Sequence, residues 1–190
     1  MGHMGAGYLA NPLAFLVDTL VGLYVLAIML RLLLGWVRAD FYNPVSQFLV
    51  KITNPLLVPL RRVLPPMGRL DSAALVLMLL VQMAGLALVF LIAGRPAGPA
   101  LLLLASLREL VALLFNIYIF AILIQAVISW INPGAYNPVT ALLHSLTEPV
   151  LRPFRSLLPP ISGIDLSPLL ALIALQVVKM LVLPLFGMFH

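Results

Sequence analysis

The stretch Tyr42-Asn43-Pro44-Val45, followed by Thr53, Pro55, Leu57, Pro59, Arg61, Leu64-Pro65-Pro66 and Asp71, decides the fold, because the chain contains it twice. The second copy lies 94 residues on: Tyr136-Asn137-Pro138-Val139, then Thr147, Pro149, Leu151, Pro153, Arg155, Leu158-Pro159-Pro160 and Asp165. The register continues outward without a gap, pairing Tyr24 with Tyr118, Trp36 with Trp130 and Gln82 with Gln176. Self-similarity at a fixed offset marks a duplicated structural unit.

Each copy sits between two apolar runs, at about 13–37 and 73–93 for the first and about 101–131 and 169–189 for the second. The chain is 63% hydrophobic and 9% charged, with mean hydropathy +1.15. A soluble domain is about half apolar and about a quarter charged. Each run can cross about 30 Å of hydrocarbon as a helix of about 20 residues. The expected fold is therefore an all-α membrane protein. It has four transmembrane helices in two repeats, each helix, Pro-rich amphipathic connector, helix.

The expected divisions are an N-terminal tail (1–12), repeat one (13–94), a linker (95–100) and repeat two (101–190). Gly2-His3-Met4 in the tail reads as a tag remnant, and Arg95-Pro96-Ala97-Gly98-Pro99 in the linker reads as a turn. No Lys or Arg precedes Arg31, so a cleavable signal peptide is not expected.

Two spans per repeat return the chain to its starting side, so the repeats are parallel and both connectors share one face. Arg38, Lys51, Arg61, Arg62, Arg69, Arg152 and Arg155 lie on or beside the connectors. Basic residues favour the cytoplasmic side, which puts the connectors in the cytoplasm and the termini outside. The net charge of +5 has the same origin; with no basic helix present, no nucleic-acid partner is expected.

Asn43 and Asn137 each precede a proline, the pattern of an N-cap before a first-turn proline. Val45, Phe48, Leu49 and Ile52 then recur at helical spacing opposite Ser46, Gln47 and Lys51. This predicts an amphipathic helix of about three turns, after which Pro55 and Pro59 should force a kinked return to the membrane. Arg61, Arg62, Arg152 and Arg155 could present a docking surface to anionic lipid or a protein partner. Asp71 and Asp165 precede spans two and four and read as N-caps.

Gln82 and Gln176 fall about 16 Å into their spans and should meet across the pseudo-axis. Asp18, Glu109, Arg108 and Lys179 lie in the outer half, with Asp18 or Glu109 expected to pair with Lys179. Arg31 sits near the inner end, where it can snorkel. There is no cysteine, phosphate loop, nucleophile elbow or metal-ligand cluster. No enzyme activity, cofactor or metal is therefore expected.

The doubled Tyr-Asn-Pro-Val, Thr-x-Pro-x-Leu-x-Pro-x-Arg, Leu-Pro-Pro and Asp string resembles the YggT family over about residues 13–187. The resemblance implies the two-repeat form of bacterial inner membranes. It also implies links to osmotic or extracytoplasmic stress, potassium-related phenotypes, division genes and, in plastids, haem attachment and nucleoid distribution. No common biochemical activity follows from that spread. The second copy departs from the first at Gln125 for Arg31, Arg152 for Val58 and Ser156 for Arg62. Two functions are carried forward: a scaffold or assembly/stress-response factor, expected to form homo-oligomers, and an osmotic-stress channel or transporter.

Overall fold

The computed structural model describes residues 4–66, 68, 70–132, 134, 137–157 and 165–187. The chain forms α1 (Met4–Trp36), α2 (Pro44–Val63), α3 (Ser72–Ile92), α4 (Pro99–Ile131), α5 (Pro138–Leu157) and α6 (Ser167–Val182). A 3₁₀ turn, Leu183–Phe186, follows α6. Asn11–Trp36, Ser72–Ile92, Pro99–Ile131 and Ser167–Phe186 are long and apolar enough to cross a membrane. The molecule is thus an all-α, multi-pass membrane protein in two repeats.

Two expectations about local structure are corrected. The segment taken as a tail is helical from Met4, with Pro12 inside the helix; the tag reading rests on residues 2 and 3, which lie outside the described residues. Each connector is one helix of 20 residues, running through Pro55 and Pro59 or through Pro149 and Pro153. A proline four residues after another removes successive N–H donors from one side of a helix only. All four prolines are exposed, on the side turned away from the bundle, where a helix can bend without losing packing.

α1 packs along α3 and α4 along α6, while α3 and α4 join the two repeats. The main core forms where Ile28, Met29 and Leu32 of α1 meet Leu57 of α2, Ala73, Leu77 and Met78 of α3, and Ile117 and Ala121 of α4. A second cluster, Ile122, Leu151 and Ala171, joins α4, α5 and α6. Alanine at the crossings lets these backbones approach closely, which is how helices associate in lipid. Among the described residues α6 touches neither α1 nor α3.

Candidate functional site

The connectors are fixed to the spans by contacts repeated in both halves. Asn43 caps α2 by accepting the Val45 N–H at 2.9 Å. Asn137 caps α5 by accepting from Val139 and Thr140, both at 2.9 Å, while the Thr140 hydroxyl accepts the Asn137 N–H. A side-chain oxygen at this position satisfies donors that the first helical turn leaves free. Asn43 does more: its amide donates to the Pro138 carbonyl at 2.6 Å and ties the two connectors together. Around this junction Asp40, Tyr42, Asn137, Ala141 and Ser145 line a cleft of about 470 Å³.

The C-terminal ends of the connectors are held by ion pairs. Arg61 Nε donates to Asp71 Oδ2 at 3.1 Å, and Arg155 Nε donates to Asp165 Oδ2 at 3.1 Å. The remaining carboxylate oxygens turn to the span starts: Asp71 caps α3 by taking the Ala74 N–H at 3.2 Å, and Asp165, one residue before the N-cap position Leu166, takes the Ser167 N–H at 2.9 Å and hydroxyl at 2.5 Å. The capping expectation therefore describes half of what these residues do. Partial burial works against the Asp165 charge, but the Ser167 bonds and Arg155 outweigh it and hold the carboxyl below its usual range. Burial likewise opposes the Arg155 charge, and Glu148 and Asp165 outweigh it, raising that group further. Glu148, which has no acidic counterpart in repeat one, makes a second ion pair with Arg155.

The middle of each connector is bound to the preceding span. Arg31 does not snorkel: only 8% exposed, it donates to Thr53 Oγ1 at 2.6 Å and Asn54 Oδ1 at 2.8 Å. In repeat two Gln125 stands in its place and accepts from the Thr147 hydroxyl, with His144 Nδ1 at 3.4 Å. Between α4 and α5 this shorter residue borders a cleft of about 410 Å³, with Ser129, Asn132 and His144 on its walls. Thr53 and Thr147 are fully buried. Their place in the doubled string was the available signal, but a threonine two residues before a proline carries no mark of burial of its own.

The stripe of α2 buried against the bundle is Ser46, Leu49, Thr53 and Leu57, and of the apolar positions Val45, Phe48, Leu49 and Ile52 only Leu49 belongs to it. Ser46 is fully buried because its hydroxyl donates to the Asp40 carbonyl at 2.9 Å. Val45, Phe48 and Leu56 point outward. Arg62 and Arg152 are exposed, whereas Arg61 and Arg155 are engaged in their ion pairs.

The membrane-depth residues do not converge as expected. Gln82 is half-buried on α3 and Gln176 exposed on α6, two helices that do not touch. α4 packs against both α3 and α6 and stands between spans two and four. Lys179 donates to Asn116 Oδ1 at 2.6 Å rather than to Asp18 or Glu109. Glu109 accepts from its neighbour Arg108 at 3.0 Å, and Asp18 is exposed on α1. Repeat one has Gly22 and Gly85 at the positions of Asn116 and Lys179, so this contact is peculiar to the second copy.

A family model described as CCB3/YggT matches residues 10–92 and again 104–186. An uncharacterized protein of Pseudomonas aeruginosa is 44% identical over 171 residues, covering 89% of this chain and 87% of its own length. The uncharacterized protein YggT of Escherichia coli is 38% identical over 171 residues, covering 90% and 88%. The YlmG homolog protein 2, chloroplastic, of Arabidopsis thaliana is 38% identical over 61 residues, covering 32% of this chain and 24% of its own. No solved structure matches.

Proposed function

This chain belongs to the CCB3/YggT family, and from that premise we propose that it is a non-enzymatic scaffold or assembly/stress-response factor of the bacterial inner membrane. In this reading α2 and α5 are amphipathic helices lying at the cytoplasmic surface, with the termini on the periplasmic side, as the basic residues beside the connectors favour. They present Val45, Phe48 and Leu56 to lipid and Arg62 and Arg152 to an anionic lipid headgroup or an acidic protein surface. The observation that carries the reading is the anchorage of both connectors at start, middle and end, by Asn43, by Arg31 and Gln125, and by the Arg61–Asp71 and Arg155–Asp165 pairs. A surface held this firmly is suited to recognition, because little ordering is left for binding to impose.

The alternative, an osmotic-stress channel or transporter, called for Gln82 and Gln176 to share a polar lumen. Their placement on non-touching helices weighs against it. Homo-oligomers remain part of the proposal, since α1 and α6 leave apolar edges free for a second copy. The test is co-purification from native membranes beside an ion-flux assay in liposomes. A discrete partner retained by the wild type and lost on Arg62→Glu/Arg152→Glu is the expected result. Ion flux that disappears in Gln82→Leu would overturn the scaffold reading.

A further inference from the structure

We propose that the cleft between α4 and the end of α6, on the side of the bundle away from the connectors, holds the phosphate of a membrane phospholipid between Lys179 and Arg108. Both cations line this cleft of about 400 Å³, together with Gln176, Met180, Leu183 and Gly187.

Lys179 has no anionic partner among the described residues. Lys179 lies 12 residues into α6, about 18 Å from the connector end of the span. A charge at that depth is costly unless it is paired. Its bonded neighbour, Asn116, supplies an oxygen but no charge. No carboxylate lines the cleft among the described residues; Glu109 is taken up by Arg108, and Asp18 belongs to α1, which does not touch α6.

Packing gives no other reason for the pair. Repeat one has Gly22 and Gly85 at the two equivalent positions, and there Gly85 lies directly against Val21 of α1. The helix crossing therefore forms without a polar contact, and Lys179 and Asn116 are additions to the second copy.

Depth selects the source of the anion. Arg108 stands 23 residues from the connector end of α4, about 34 Å away, level with the headgroups of that leaflet. Lys179 lies deeper, its ammonium on Asn116, and a long basic side chain of this kind can extend toward the membrane surface when an anion is offered there. A phosphate between them would meet on one side the Arg108 N–H groups not given to Glu109 and on the other the Lys179 ammonium. Exposed Met180, together with Leu183, offers apolar wall for an acyl chain, which inorganic phosphate would not use.

The experiment uses the full chain, delipidated in detergent and titrated with dioctanoyl phosphatidylglycerol, dioctanoylglycerol and inorganic phosphate while thermal unfolding is followed. Phosphatidylglycerol should raise the midpoint of the wild type. Lys179→Met should weaken the apparent affinity at least about tenfold, the worth of one charge-assisted hydrogen bond. Lys179→Arg should retain it, Arg108→Gln should weaken it, and Arg95→Gln, a cation on the same side outside the cleft, should not. Should Lys179→Met fail to fold, the exposed Arg108→Gln carries the test. Wild-type titration by both charge-removing variants would overturn the proposal. An equal shift with dioctanoylglycerol would reduce the cleft to an apolar groove, and an equal shift with inorganic phosphate would remove the lipid from it.

Discussion

Asp71 meets Arg61 through two guanidinium nitrogens on one carboxylate oxygen, Nε at 3.1 Å, while the other oxygen caps α3. The two tasks separate by substitution. Asp71→Ala removes cap and ion pair and should cost about 2 kcal/mol. Asp71→Asn keeps an oxygen for the cap and should cost less than about 1 kcal/mol. Equal losses in thermal unfolding would show that the cap contributes nothing.

Asp165 gives a pH signature. Its carboxyl is held below the ordinary range, so it binds protons less readily folded than unfolded. Its contribution to stability is complete above the unfolded pKa of about 3.9 and is lost as pH falls through the lower folded value. Wild type should therefore lose more stability on acidification below that range than Asp165→Asn does. Parallel pH profiles for the two proteins would contradict the assignment.

Arg31 and Gln125 contact the equivalent threonine in opposite senses, Arg31 donating to Thr53 and Gln125 accepting from Thr147, so exchanging one for the other is informative. Arg31→Gln should be the milder change, because Gln125 shows that an amide can serve the buried threonine. Arg31→Met leaves Asn54 and Thr53 without their donor and should cost about 1–3 kcal/mol. The ranking is read from unfolding midpoints, and a milder Arg31→Met would refute it.

Gly85 has no room for a side chain. A Cβ there would lie 2.5 Å from Val21 Cγ1 and 3.1 Å from Val21 Cβ. Valine is stiff at χ1 and cannot swing aside, so Gly85→Ala should cost about 1–3 kcal/mol. Val21→Ala in the same chain should restore most of the loss, and a double-mutant cycle measures the coupling.

Arg38 ends α1 in the left-handed region, φ +54°, with the Ala39 N–H donating to Leu34 O at 2.9 Å and its own to Gly35 O at 3.2 Å. Glycine is the residue suited to this position of a helix end. Arg38→Gly should raise stability by up to about 1 kcal/mol, visible as a higher unfolding midpoint.

What could be read from the chain follows from what the physics averages. Spans depend on the summed apolarity of about twenty residues, so single errors cancel and all four were visible. The Asn43, Asn137 and Asp71 caps were legible because capping is a local event of three or four residues, whereas Asp165 stands one residue before the N-cap position of α6. The continuity of α2 was hidden, because Pro55 and Pro59 disfavour a straight helix and only the packing turns them to an outward face that can bend. Arg31–Thr53 and Lys179–Asn116 are separated by 22 and 63 residues, and such pairs are set by how helices pack rather than by spacing. The expected meeting of Gln82 and Gln176 failed for the same reason: equal height along an axis does not fix which helices stand side by side.

The Asn43–Pro138 bond runs one way. Asn43 crosses to the other repeat, while Asn137 serves its own helix, and no reciprocal bond to Pro44 is present among the described residues. Two identical single-repeat chains around a true two-fold would offer every partner two equivalent seats. The two copies in this chain differ at this bond, at Arg31/Gln125 and at Asn54/Glu148, which leaves one seat of each kind. The consequence is stoichiometric: a partner that reads the connector junction should bind in a single orientation and at one molecule per chain, and stoichiometry measured on an isolated complex would reveal a second seat if the halves were still equivalent.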